Sequence, residues 1–200
     1  MYEKFLHYFC LFLLNDKSKK IVFDSILDGE IMENEEELKG KFSNIFIMIL
    51  FGIMMNDLEN AKHFLSNSVY NKFKKIVDAN ILNNETQMYD ELNVKSIKIL
   101  SIEEEDNYNV VKVKIVSRYM DYVIDSNTKK YKRGVNTHRI EKDNILTFKK
   151  LKNASLRKSV IKCESCGANM DINFSGKCEY CGSIADVTSY DFVLTDIITN

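Results

Sequence analysis

Proline and tryptophan are absent from this 200-residue chain, and glycine occurs only 7 times and histidine 3 times. Without proline there is no rigid linker, which argues against a string of separated domains. Three scattered histidines, His7, His63 and His138, offer no paired imidazoles for a hydrolytic site. An excess of one charge is also missing: 28 basic side chains stand against 29 acidic ones, a net charge of -1. A nucleic-acid partner normally requires a strongly basic face, so composition weighs against one. No apolar run approaches the roughly 20 residues that span a bilayer; the longest, residues 45–55, is little more than half that. Residues 9–14 are apolar, but Glu3 precedes them and no small-residue cleavage site follows, so no secretory signal is expected. The expectation is a soluble, cytoplasmic chain, with peripheral contact at a membrane left open.

What is present is ordinary in amount, with 45% hydrophobic and 28% charged residues. That is enough for one domain with a real core. Tyr2, Phe5, Leu6, Phe9, Phe12 and Leu13 recur at helical spacing, and Cys10 lies among them as a core candidate. Residues 16–33 read as a polar connector. From Asn34, an N-cap candidate, NEEELKGKF leads into NIFIMILFGIMM, a helix apolar on every side that must be enclosed by protein or press on lipid or a partner. Leu58, Ala61, Phe64, Leu65, Val69, Phe73 and Ile76 mark a second amphipathic face. After Asn84 the period changes to two. Strands are expected over 94–103, 108–124, about 135–151 and 189–199, with EEDN and DSNTKKYKRG as turns. Helices followed by an antiparallel meander make the class α+β.

Between the last two strands stands CESCGANMDINFSGKCEYCG. Cys163, Cys166, Cys178 and Cys181 form two CxxC knuckles, each followed by glycine, Gly167 and Gly182, with Gly176 as a turn in the spacer. Glycine there admits the left-handed backbone that aims amide N–H groups at thiolates. Four thiolates so spaced fit a closed, structural Zn²⁺ site; a rubredoxin-like iron site is the chemical rival. Paired disulfides would need an oxidising compartment, of which the sequence gives no sign.

Several motifs occur in an order that resembles the Tim44-like domain family, named for the scaffold of the mitochondrial inner-membrane import motor. The all-apolar helix is followed by Asp57 and then by Phe64-Leu65-Ser66 and Val69-Tyr70 with Phe73, similar to the family's "lsxxvyxxf" helix. Asp121, Tyr122, Asp125 and Gly134 resemble its "dyvxdxxtgxxxxG" hairpin, and ILTFKKLKN its "wtfxR" strand. Bacterial members often carry a zinc ribbon next, then a short W-x-L strand; here Phe192-Val193-Leu194 holds that place. Phe192 replaces the usual tryptophan, and Phe148-Lys149-Lys150 lacks the family's tryptophan and arginine. The resemblance covers residues 34–199. It implies a cystatin-like, or nuclear-transport-factor-2-like, fold with helices in the concave face of a curved antiparallel sheet and an apolar pocket. It also implies scaffolding in protein transport, peripheral membrane contact or ribosome contact, without catalysis. The domain plan would be a helical segment over 1–33, a main domain over 34–160 completed by 184–200, and a ribbon over 161–183.

Three functions compete. A non-catalytic interaction module would hold a peptide, a lipid or a membrane surface through an apolar pocket or the first helix, with Met48, Met54 and Met55 as adaptable contacts. An isomerase- or dehydratase-like enzyme would use Asp121, Tyr119, Tyr122 and His138. A nucleic-acid binder would use Lys149, Lys150, Lys152, Arg157, Lys158 and Lys162, although Glu164, Asp171 and Glu179 oppose the ribbon's lone Lys177. The first reading is expected.

Overall fold

A computed structural model describes residues 35–152, 160–163, 165–171, 178, 180–183 and 191–200. The chain divides into two compact units, Met1–Leu38 and Lys39–Asn200, and nearly all of the first lies outside the described residues. The expected first helix, Cys10, Asn34, Arg157, Lys158, Glu164, Gly176, Lys177 and Glu179 lie outside them too.

Helix α1, Glu35–Met55, opens with Glu35, Glu36 and Glu37, whose charges suit the positive end of its dipole. By length and composition it could cross a bilayer. Phe42, Ile45, Phe46, Ile49 and Ile53 are each at most 2% exposed, which makes it the core helix of a folded domain. It ends at Asn56, whose φ of 54° is left-handed. The chain then folds back onto Gly52: Asp57 N–H donates to Gly52 O at 2.9 Å. A Cβ on Gly52 would meet Asp57 O at 2.8 Å and Leu58 Cδ2 at 2.9 Å, so only glycine fits there. Asp57 Oδ1 accepts from Glu59 N–H at 2.9 Å and shapes the turn.

The amphipathic face read from Leu58 onward is interrupted. Leu58, Ala61 and Leu65 are buried, but on a loop and a short 3₁₀ turn, Lys62–Phe64. Ser66 then caps helix α2, Asn67–Leu82, accepting from Val69 N–H at 3.3 Å. This serine is why one hydrophobic period becomes two elements. On α2, Val69, Phe73 and Val77 are buried, whereas Ile76 is 40% exposed.

Three long strands follow: β1, Glu85–Glu105; β2, Tyr108–Asp125; and β3, Tyr131–Leu151. Two short strands, β4 (Val160–Lys162) and β5 (Asn169–Asp171), pair in the ribbon, and β6 is Val193–Thr199. The curved main sheet is antiparallel in the order β1-β2-β3-β6, with the helices packed on one face. The fold is α+β and nuclear-transport-factor-2-like.

β1 starts nine residues before the expected position, and β3 starts at Tyr131 rather than near Val135. β1 is also irregular, with register shifts at Asp90/Asn93, Val94/Ser96 and Ile99/Ser101. Such bulges twist an edge strand and protect it from further pairing. The β1–β2 turn carries Asp106 at φ 49°. In the β2–β3 turn, Asp125 Oδ1 accepts from Asn127 N–H (3.1 Å), Thr128 N–H (2.8 Å) and the Thr128 hydroxyl (3.0 Å). Those bonds hold its carboxyl below the ordinary range. Gly134, at φ 104°, lies opposite Tyr122, where a Cβ would come within 2.6 Å of the Tyr122 Cα.

β6 pairs with β3 only over Asn144–Thr199 to Lys149–Val193. It is also clamped from the helical side. Ser66 N–H donates to Leu194 O at 2.9 Å, Lys72 Nζ donates to Ile197 O at 2.8 Å, and Lys41 pairs with Asp191. Phe42 stacks on Phe148 at 4.1 Å between ring centroids and meets Phe192 edge-on at 5.4 Å.

Candidate metal centre and the covered sheet face

The two knuckles repeat one backbone design. Cys163 N–H donates to Ala168 O and Gly167 N–H to Cys163 O, both at 2.7 Å. Cys178 N–H donates to Ser183 O and Gly182 N–H to Cys178 O, both at 2.8 Å. Gly167 and Gly182 have φ of 72° and 73°, the left-handed turn that closes each loop. The four Sγ atoms lie within 4.8 Å of one another. Cys163 and Cys181 are 3.5 Å apart and Cys166 and Cys178 3.6 Å, far beyond a disulfide bond. A tetrahedral site with Zn–S near 2.3 Å needs sulfurs about 3.8 Å apart, so the spacing fits a single ion. Cys163 and Cys178 are buried, Cys166 and Cys181 exposed.

The donor set also fits a cation electrostatically. Ser183 Oγ lies 2.9 Å from Cys163 Sγ and 3.1 Å from Cys181 Sγ, joining the two knuckles. This hydroxyl holds the Cys163 thiol down at about 6 and also lowers Cys181. The Ala168 N–H favours ionised Cys166, but the surrounding thiols outweigh it and push Cys166 up to about 12. A cation held between the four sulfurs would favour the thiolate form of all of them. Ser183 was not legible as a partner; a hydroxyl directly after CxxCG is the one signal available.

The second candidate region is the sheet face that the helices cover. Facing residues of an antiparallel pair share a face, and alternation along β2 assigns the rest. Toward β6 the face is apolar and closed: Val113, Ile115, Leu146, Phe148 and Leu194 are all 0% exposed. Toward the β2–β3 turn the same face carries Ser117, Tyr119 and Asp121 on β2, with Tyr89 opposite Asp121 and Lys142 opposite Ser117. Gln87 Nε2 donates to Asp121 Oδ1 at 2.8 Å, and the Tyr89 and Tyr119 rings meet edge-on at 5.1 Å. Asn144 Nδ2 donates to Ser117 Oγ at 3.0 Å. Burial pushes the Asp121 carboxyl above its ordinary value, against the opposing pull of Lys142 and Gln87. Burial likewise raises Tyr89, and Tyr119 to about 12.

Of the four residues proposed for an enzyme, then, Tyr119 and Asp121 come together and two do not. Tyr122 points to the opposite face, where its hydroxyl donates to Asp90. His138 is exposed in the irregular stretch of β3 between Val135 and Ile140, with Thr137 Oγ1 3.1 Å from its ring. Gln87 and Tyr89 escape a sequence reading because their run has no apolar alternation, and Lys142, within the expected third strand, because a lysine is not expected on the covered face. Within the described part of the basic flank, Lys149 pairs with Glu105 at 2.7 Å and Lys152 with Glu104 at 2.6 Å, while Lys162 is exposed. Lys150 is buried over the Phe192 ring, 5.5 Å from its centroid.

Against known proteins, a family model described as Tim44-like domain matches residues 32–158. No curated protein matches the chain.

Proposed function

The chain belongs to the Tim44-like domain family, and from that premise we propose that it is a non-catalytic interaction module with a structural zinc ribbon. In this reading Cys163, Cys166, Cys178 and Cys181 hold Zn²⁺, and the ion only shapes the β3–β6 connection. The ribbon occupies 161–183 as an insertion in a domain spanning 34–160 and 184–200, with 1–33 as a separate helical segment.

The observation that carries the interaction role lies on α1. Ile47, Met48, Phe51, Met54 and Met55 fall within about 120° of the helix circumference, opposite its buried face. Phe51 is 48% and Met55 70% exposed, an uncommon state for large apolar side chains on a central helix. Flexible methionines adapt to varied apolar surfaces, so the stripe suits a peptide segment, an acyl chain or the surface of a membrane. Family scaffolding roles in transport are consistent with such a surface.

The test is co-sedimentation with phosphatidylcholine and anionic vesicles, comparing the full chain, a chain lacking residues 1–31, and Phe51→Glu/Met55→Glu. Binding lost in the double variant alone supports the stripe. Binding lost only with the truncation moves the contact to the first helix. No binding by any form removes the membrane version and leaves peptide capture.

A further inference from the structure

We propose that the covered sheet face around Asp121 is a binding site for a small molecule bearing a primary ammonium group on a short aliphatic body. The site goes beyond the interaction reading above and uses none of the α1 stripe.

The two ends of this face differ in a way that packing alone does not require. At the apolar end the side chains are sealed from solvent. At the Asp121 end, Gln87, Tyr89, Asp121 and Lys142 all keep partial exposure, although helices pack on that face. Solvent therefore reaches these four side chains, while Tyr119 and Ser117 beside them are buried. Asp121 Oδ1 is taken by the Gln87 amide, while Oδ2 has no hydrogen-bond partner among the described residues. The Tyr89 hydroxyl likewise has none among them. Lys142 acts on Asp121 through space without an ion pair at contact distance. A half-buried carboxylate with one oxygen left to solvent and no contact ion pair is free to accept an incoming cation.

Geometry selects the kind of cation. Two tyrosine rings meeting edge-on beside a carboxylate give an ammonium both a counter-charge and aromatic faces. Val94 lies opposite Ser117 and Val135 opposite Asp121, and Ile140 opposite Tyr119, all half-buried, so a few methylenes have apolar surface beside the charge. A carboxylate ligand would be repelled by Asp121. An alcohol would gain one hydrogen bond but no charge pairing.

The experiment titrates the ¹⁵N-labelled chain with n-hexylammonium, hexan-1-ol and hexanoate, following backbone amide shifts. Hexylammonium should saturate shifts clustered at residues 87–90 and 117–123, at concentrations at least about tenfold below the other two probes. Asp121→Asn should weaken hexylammonium about tenfold or more. Asp90→Asn, on the opposite face, should leave it unchanged. Tyr89→Phe serves as a second variant should Asp121→Asn fail to fold, and should weaken binding several-fold. Equal binding of all three probes, undiminished binding in Asp121→Asn, or no saturable shifts would overturn the site. Shifts confined to Ile47, Met48, Phe51, Met54 and Met55 would overturn it as well, while supporting the α1 stripe independently.

Discussion

The two ends of the covered face are built from the same three strands yet behave as different materials. Toward β6 the sheet has four strands, and Phe42, Phe148 and Phe192 interlock between α1 and the sheet. Toward the β2–β3 turn, β6 has stopped at Thr199, opposite Asn144, and β3 runs on with that edge unpaired among the described strands. There the inward positions mix Gln87, Tyr89, Tyr119 and Asp121 with Val94, Val123, Val135 and Ile140. The difference teaches which end carries stability and which end is available for something else. Buried aliphatic and aromatic area stabilises the first end, whereas half-buried polar groups contribute little net stability and are retained at sites that bind.

The largest effect should come from the four-cysteine cluster that precedes β6. On the proposed zinc reading, Cys163→Ser or a chelator should empty the site and lower amide protection in β6, while α2 and the β1–β2 pair keep theirs. Structural zinc in small four-ligand modules contributes on the order of 10 kcal/mol to local folding. Unchanged exchange in residues 193–199 would show the closed end to be independent of the ribbon. Ser183→Ala should be the milder version, speeding metal loss to a chelator about tenfold or more, with Ser183→Thr retaining most of the effect of the hydroxyl. Next in size, Phe42→Ala should cost about 3–5 kcal/mol in urea unfolding. Asp121→Asn at the other end should change stability by less than about 1 kcal/mol. Comparable losses from the two substitutions would erase the distinction between the ends.

Sequence alone revealed the apolar end and, of the polar one, only Tyr119 and Asp121, for a physical reason. Alternation of Val111, Val113 and Ile115 against lysines announces a half-buried strand, and the structure has it as β2. The first residues of β1, ETQMYDEL, lack that alternation because their inward side chains are polar, so periodicity places the start of the strand near Val94. The motif resemblance also has a structural basis. Ser66 caps a helix, Leu65 bridges to Leu194, Asp57 and Asp125 shape turns, and Gly134 permits a close strand approach. Those residues specify how the chain turns and packs, so they identify the fold without naming a ligand. The knuckles were legible because CxxCG fixes both ligands and backbone locally. Ser183 and Lys142 became visible only through tertiary pairing.

The β2–β3 turn lies at the polar end, and its charges offer a smaller, pH-dependent test. Arg133 donates to both Glu85 oxygens at 2.6 Å, and Lys132 lies 3.3 Å away. The Arg133 guanidinium is the main cause holding the Glu85 carboxyl at about 2, from an ordinary value of 4.5. A depressed folded value means this contribution is present above about 4.5 and fades as pH falls toward about 2. Glu85→Gln should therefore be less stable than the parent chain at neutral pH, and the gap should close across that acidic window. A gap independent of pH would mean that the ion pair does not anchor this end.

The smallest expected effect runs in the opposite direction and concerns one backbone angle in the same turn. Lys129 sits at φ 60°, in the left-handed region, and its N–H donates to Asp125 O at 2.9 Å. In the hairpin pattern "dyvxdxxtgxxxxG" this position is glycine, which adopts that angle without the Cβ clash that lysine bears. Relief of the clash, offset by the greater unfolded-state freedom of glycine, should leave Lys129→Gly more stable by about 0.5–1 kcal/mol. Lys129→Ala should give no comparable gain, because alanine keeps the Cβ, and this separates backbone strain from any effect of removing the charge. A rise in Tm with glycine alone would show that the open end has room for stabilisation, as expected of a region kept for binding. Equal gains from both substitutions would assign the effect to charge repulsion with Lys130 and Lys132 and remove the backbone explanation.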